Sequence, residues 1–318
     1  MEAFVFPSGA PPESVGAAQA TVPPGGFLWL DFSHEEADWP TVAEPITGVR
    51  FHDRHVNDSL NPAHPSFYDN TGDYDMLVFR SHVPESGEAF FTHPSTFFLL
   101  DRVLVTVRPP RSHSIAAVRQ RLMHQPMRAP ANPMALMQLI LNAMVDGFLA
   151  MREPLAARAE QWAEALLDPR NREDLRHIMQ HRSVLRRLES LSEEQEDAVI
   201  GWRDNQRLPM EEQLDVRYTD LVEHIRRISR FASHQQKEVE NLIQLHFSAI
   251  STRTNEIMST LTVVSAVILP LNLIAGIFGM NFEYVRELHT HTGFYVTLGG
   301  MAALAAILLL FFRLKRWF

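Results

Sequence analysis

The chain has no cysteine among its 318 residues. That excludes disulfides, thiolate zinc sites and a cysteine nucleophile, and it accords with a reducing compartment. Clustered cationic charge is missing too. The formal net charge is -9 and the pI about 5.9, whereas binding nucleic-acid phosphates needs grouped Lys and Arg, so no nucleic-acid partner is expected. No glycine-rich loop able to cradle phosphates is present, and no Ser/His/Asp set stands in a supporting local context. Those absences argue against an enzyme and against ATP-driven transport. The first residues, Met1 to Gly26, lack both the basic start and the apolar core of a signal peptide. Rich in Pro, Gly, Ala and Ser, residues 1–26 read as a disordered tail that leaves the soluble part in the cytosol.

Charge is also absent from two long stretches near the C-terminus. Ile257 to Phe282 and Thr292 to Phe312 contain no Asp, Glu, Lys or Arg, and each exceeds the roughly 20 residues that cross a bilayer core as a helix. The few residues between them, 283–291, suffice only for a turn. The chain therefore ends in a membrane hairpin. Arg313, Lys315 and Arg316 follow the second span, and Arg253 with Arg226, Arg227 and Arg230 precedes the first. The positive-inside rule then places both termini in the cytoplasm and the loop outside a cell (inner) membrane.

The remainder divides by texture. Residues 27–130 read as an α/β domain, with strands at Phe27–Asp31, Met76–Arg80, Thr96–Leu100 and Val103–Val107. Residues 131–211 read as helical, with one helix from Pro133 to Leu167 and another over about 172–205. Residues 212–282 form a single long stalk that continues into the first span, since no Gly occurs before Gly276 and no Pro before Pro270. Several of its apolar positions, Ile243, Ile250, Ile257 and Val264 among them, recur at sevens, as in a helix bundled with its own copies. The alternative is a helix packed on its own domain and broken near the membrane. The second span, 292–313, and a basic tail, 314–318, complete the chain.

The first span is not uniformly apolar. Asn255, Met258, Thr262, Ser265, Leu269, Asn272 and Gly276 follow at alternating steps of three and four, so they share one helical stripe. Several copies around an axis would turn that stripe inward as a narrow conduit of amide and hydroxyl rings. Met258, Leu261 and Leu269 would close it by dewetting. Neutral carbonyls suit a hydrated divalent ion, because magnesium sheds water reluctantly. In the other reading the Ser, Thr and Asn side chains only join two helices.

Gly279-Met280-Asn281 at the end of the first span resembles the motif of the CorA family of magnesium transport proteins. So do Asn255-Glu256-Ile257-Met258, Pro270-Leu271, Ala275-Gly276-Ile277-Phe278, Asn281-Phe282-Glu283-Tyr284 and Glu287-Leu288. Tyr218-Thr219-Asp220 with His224, Leu28-Trp29-Leu30-Asp31 and His64-Pro65 are similar to the family's soluble part. The resemblance implies a funnel-shaped homopentamer whose α+β cytosolic domain leads through a very long helix into a two-helix membrane hairpin. It implies Gly279, Met280 and Asn281 as a selectivity filter, and Glu283 and Glu287 as external cation capture. It implies Asp220 as a cytosolic regulatory metal residue. Magnesium would be transported and regulatory, with cobalt or nickel as passengers, and no resident cofactor is implied. Two departures stand out. Val285-Arg286-Glu287 puts a cation between the loop acids, and Gln244 falls where some members carry a regulatory carboxylate. A zinc transporter of the same superfamily and a non-conducting membrane-anchored cation sensor are the alternatives. His177 and His181, with Asp174, read as a solvated helix face, as do the acids of Glu193 to Asp197. His289 and His291 read as ordinary loop residues.

Overall fold

The structure is a computed structural model that describes residues 1–84, 90–125, 129–167, 175–280 and 291–315. Two compact units divide the chain, Met1–Glu240 and Asn241–Phe318.

The first unit is built on a seven-stranded sheet. Its strands are β1 (Glu2–Phe6), β2 (Glu13–Val15), β3 (Phe27–Ser33), β4 (Phe67–Asn70), β5 (Asp75–Val83), β6 (Phe91–Leu99) and β7 (Val103–Arg108). Their order is β2-β1-β3-β7-β6-β5-β4. Only the β3–β7 pair is parallel, with Asp31 beside Thr106. The strand period of two sorts the side chains onto opposite faces. Trp29, Leu77, Phe79, Phe97 and Leu104 enter one core, and Leu28, Leu30, Phe32, Met76, Val78 and Val105 enter the other.

Helices α1 (Trp39–Thr47) and α2 (Asp53–Leu60) contribute Trp39, Ala43 and Val56 to the second core. The first core is covered by α3 (His113–His124), α4 (Pro133–Leu149), α6 (Leu175–Asn205) and the opening turns of α7 (Glu212–Phe278). Helix α5 (Arg152–Leu167) lies between α4 and α6 in the chain. Helix α4 starts where the sequence sets it, with Pro133 in the first turn and the Asn132 side chain accepting from the Ala135 N–H at 2.8 Å. By length and composition alone the Pro133–Glu164 stretch could cross a membrane, but half of its most apolar window is buried in the protein. It supplies core residues to the first unit, Leu136, Ile140, Met144 and Phe148 among them.

Residues 1–26 correct the expectation of a disordered tail. Residues 2–6 pair with β3 along five positions, and Ala3, Phe4 and Phe6 are buried. Phe4 stacks on Trp29 and Phe6 on Phe27. Composition misled because proline and glycine dominate the turns between these short strands. Gly26 is one of them, and a Cβ there would lie 2.0 Å from the Phe6 carbonyl oxygen, so no other residue fits. The helix expected over 133–167 is two helices, separated at Ala150 and Met151.

A chain of buried polar contacts crosses the β3–β7 pair. Trp29 Nε1 donates to Thr106 Oγ1 at 3.0 Å, and Thr106 donates to Asp31 Oδ1 at 2.7 Å. Arg108 Nε donates to both oxygens of Asp31 at 3.1 and 2.9 Å. Burial nevertheless raises the Asp31 carboxyl above its ordinary range, with Arg108 and Thr106 opposing. Beside it, burial lowers His34 from 6.5 to about 4, assisted by the nearby charge of His93, and its Nε2 has no hydrogen-bond partner among the described residues. A histidine depressed in the fold contributes stability above its unfolded value and loses it as pH falls through the window from 6.5 to about 4. Unfolding followed across that window should show a falling melting temperature in the wild type and a shallower fall in His34→Gln.

Candidate functional site

The predicted conduit residues lie on α7, which runs unbroken for 67 residues. Its first turns belong to the core of the first unit. Tyr218 is fully buried, packs 4.6 Å from Trp202 and donates to the Met134 carbonyl at 3.0 Å. Thr219 accepts from Arg203 at 3.1 Å. The Tyr218-Thr219 part of the motif therefore fixes the start of α7 against α4 and α6. Asp220 is exposed beside it, 3.8 Å from His224 Nε2. It edges a cavity of about 690 Å³ shared with Arg121, Arg217, Asn132 and Gln138. Among the described residues, no group of three or more His, Asp and Glu side chains is placed to hold a metal ion.

The second unit contains the rest of α7 and α8 (His291–Leu314). Both are long and apolar enough to cross a membrane, and the most apolar windows are 6% and 0% buried. Their covered faces are narrow. On α7, Val263 is buried while Ser259, Ala266, Val267, Pro270, Leu271 and Ile274 are half-buried. On α8, Gly293, Thr297, Met301, Leu304, Ala305, Leu308 and Phe312 are half-buried, again at helical spacing. Near Gly279 the two helices line an apolar cavity of about 310 Å³ bounded by Ala275, Phe278, Gly293, Phe294 and Thr297.

The predicted stripe lies off this covered face. Asn255, Thr262, Asn272 and Gly276 are exposed, as are Met258, Leu261 and Leu269, the last at 66%. Ser265 is half-buried. Taking about 100° per residue, the stripe centres roughly 130° around the helix from Val263. That placement weighs against the reading in which these polar groups merely join α7 to α8. The Thr262 hydroxyl donates to the Met258 carbonyl at 2.7 Å. Its proton is thereby committed to the helix, and only oxygen lone pairs face outward. Pro270 falls on the covered side, so the carbonyl it leaves without an i+4 donor is not on the stripe.

Helix α7 ends as Gly279 N–H bonds the Ala275 carbonyl at 2.8 Å and Met280 N–H bonds Ile277 at 3.2 Å. Gly279 and Met280 are described, and Met280 is 49% exposed. Asn281, Glu283 and Glu287 lie outside the described residues, as do Val285, Arg286 and His289.

Two readings of minor candidates change. His181 is buried edge-on against Trp162 at 4.9 Å and is not solvated, whereas His177 is exposed. Asp174 lies outside the described residues. In the acidic run, Glu196 Oε1 accepts from Arg226 at 2.6 Å, and buried Gln195 donates to the Arg80 carbonyl at 2.7 Å. A helical wheel centred on Leu188, Leu191 and Val199 would have found Gln195, because it shares their buried side.

The chain matches the family model for the CorA-like Mg2+ transporter protein over residues 24–316. It belongs to that family, whose members are membrane transporters of divalent metal ions and not enzymes. Among curated relatives, the cobalt/magnesium transport protein CorA of Thermotoga maritima is 28% identical over 183 residues, 57% of this chain and 52% of that one. Among solved structures, the complete CorA magnesium transporter from Methanocaldococcus jannaschii superposes with a TM-score of 0.85 at 16% identity, covering 100% of this chain and 98% of that one. The ZntB cytoplasmic domain from Vibrio parahaemolyticus superposes at 0.65 with 13% identity, covering 79% and 98%.

Two glycines near the end of α7, Gly276 and Gly279, differ in what they tolerate. A Cβ at Gly276 meets nothing within 4 Å, whereas one at Gly279 lies 3.1 Å from the Ala275 carbonyl oxygen. Gly276→Ala should leave the melting temperature of the purified full chain unchanged or raised, since Ala favours the helix by about 1 kcal/mol over Gly. Gly279→Ala should lower it by several degrees.

Proposed function

We propose that this protein is a channel for divalent cations, with magnesium as its main cargo, formed by five copies that turn the α7 stripe toward a common axis. The observation that carries the reading is the stripe itself. Neutral amide, hydroxyl and thioether positions alternate by three and four on a face of α7 that its own chain leaves open. Polar groups are costly against lipid and normally face a bundle interior or water. A ring of copies gives them that interior. Supporting the magnesium assignment are the family match and the name of the Thermotoga relative.

In this mechanism a hydrated ion is gathered at Glu283 and Glu287 and selected at the Gly279-Met280-Asn281 end, where five Asn281 side chains accept from its water shell. It then passes rings of Asn272 and Thr262, whose outward lone pairs accept from the same water. Bulky apolar rings at Leu269, Leu261 and Met258 empty of water when the bundle tightens, and the path closes. No lysine or arginine lies on the stripe, which favours a cation over an anion. Both termini lie on the inner side of the cell membrane. Cytosolic magnesium near Asp220 favours the closed bundle by bridging charged subunit walls.

A second reading takes zinc as the cargo, and the likeness to the ZntB cytoplasmic domain supports it. A third, a non-conducting sensor, leaves the stripe without a role. The test is uptake into proteoliposomes by purified protein, read in parallel with magnesium- and zinc-sensitive dyes. Magnesium entry that falls at least tenfold in Asn281→Ala, with assembly by native mass unchanged, is the expected result. Zinc entry without magnesium would move the cargo to zinc, and entry of neither ion would favour the sensor.

A further inference from the structure

The cavity of about 690 Å³ in the first unit opens where α3, α4 and the first turns of α7 meet. The last turn of α3 supplies Arg121, α4 supplies Gln138 and Asn142 one helical turn apart, and α7 supplies Arg217 and Asp220. The rim is charged, since Arg121, Arg217, Glu211 and Asp220 are all exposed. The inner wall is neutral, and on it Gln138 and Leu214 are each 5% exposed.

The protein leaves the polar groups of this cavity unused. Among the described residues, neither Arg121 nor Arg217 has an ion pair, and neither Gln138 nor Asn142 has a side-chain hydrogen bond. The Gln138 amide is not among the polar groups sealed off from solvent, so its oxygen and its nitrogen both keep access to the cavity. Asn132, on the same wall, commits its side-chain oxygen to the Ala135 N–H and keeps Nδ2 as a donor. An amide buried as deeply as Gln138 costs stability unless water or a ligand bonds it.

We propose that this cavity is a binding site for a nucleoside phosphate, with the phosphate at Arg121 and Arg217 and the base against Gln138 and Asn142. The site is separate from the stripe of α7, and its test does not depend on ion flux.

Three kinds of group must be met at once, and together they select the ligand. Each guanidinium is a planar fork of donors that matches phosphate oxygens. Each amide offers a donor beside an acceptor, the pattern that a nucleobase edge presents in return. An acceptor-only anion, such as inorganic phosphate, would leave the Gln138 oxygen unmet. Carboxylates repel phosphate but accept from sugar hydroxyls, as an acid does for ribose in dinucleotide sites. Glu211 and Asp220 stand on the rim for that role. Two acids offset two arginines there, so the rim does not gather anions by net charge alone. The volume lies within the roughly 300–1,000 Å³ of small-molecule sites and far exceeds what a bare phosphate fills. An occupant would bridge α3 and α4 to the start of the helix that carries the stripe.

Calorimetric titration of the purified full chain, in detergent and in buffer free of divalent cations, tests the site with ADP, GDP, UDP and inorganic phosphate as probes. Omitting divalent cations keeps a metal at Asp220 from supplying the contact. At least one nucleotide should bind with a Kd below about 1 mM, and inorganic phosphate at least tenfold more weakly. Arg217→Gln should weaken that nucleotide at least tenfold. Arg227→Gln, an exposed arginine of α7 that does not line the cavity, should leave its affinity within twofold. Gln138→Leu keeps the side-chain bulk and removes the amide, so it should weaken the nucleotide several-fold and leave phosphate unaffected. Asn142→Ala carries the same expectation and replaces it should Gln138→Leu fail to fold. No nucleotide binding to the wild type, or phosphate binding as tightly as the nucleotide, would overturn the site. So would equal losses in Arg217→Gln and Arg227→Gln, or nucleotide affinity unchanged in Arg217→Gln or in both amide variants.

Discussion

In lipid a backbone has no water to bond, so each N–H and C=O of a membrane span must be satisfied within the chain. For α7 that requirement is met by one uninterrupted helix, and the sequence protects it by withholding Gly and Pro over Glu212 to Leu269. Every other feature of the site depends on this continuity. A stripe at steps of three and four lies on one side only while the helical phase is kept. One residue inserted or deleted between Thr262 and Asn272 would rotate the C-terminal part of the helix by about 100° and move Asn272 off the line of Thr262.

The same helix serves two environments by changing which of its residues are covered. Up to Val239, Leu214, Tyr218, Leu221, Val222, Ile225, Ile228 and Ala232 bury one face in the first unit. The leucine, valine and isoleucine side chains among them each contribute roughly 1.5–3 kcal/mol when fully buried, and the Tyr218 hydroxyl bond to Met134 adds direction. From Asn241 on, the covered face shrinks to small and apolar residues around Val263, and large side chains such as Leu269 and Ile257 stand exposed. The large apolar exposure has a place in lipid and against further copies. The polar exposure has one only in an interior holding water.

Much of this was legible in the sequence because its cause is local. Strands β3, β5, β6 and β7 announce themselves by runs of Leu, Val and Phe, and α7 by the lack of helix breakers. The stripe could be read because helical spacing fixes azimuth without any tertiary contact. The features that escaped depended on distant partners. The pairing of β1 with β3 joins residues about 25 apart across a turn-rich stretch whose composition mimics disorder. His181 could be seen as buried only once Trp162 was beside it, and Gln195 only once the Arg80 carbonyl faced it. The role proposed for Asn281 rests on its motif, since the residues from 281 to 290 lie outside those described.

The central claim is that the polar stripe of α7 is the path of the ion. Replacing Thr262, Ser265 and Asn272 together with leucine removes its polarity and leaves the covered face around Val263 intact. Flux of magnesium into proteoliposomes, measured alongside native mass of the same preparation, tests that directly. The account predicts an assembled protein whose uptake falls to the level of empty liposomes. An assembled variant that carries magnesium at the wild-type rate would contradict it.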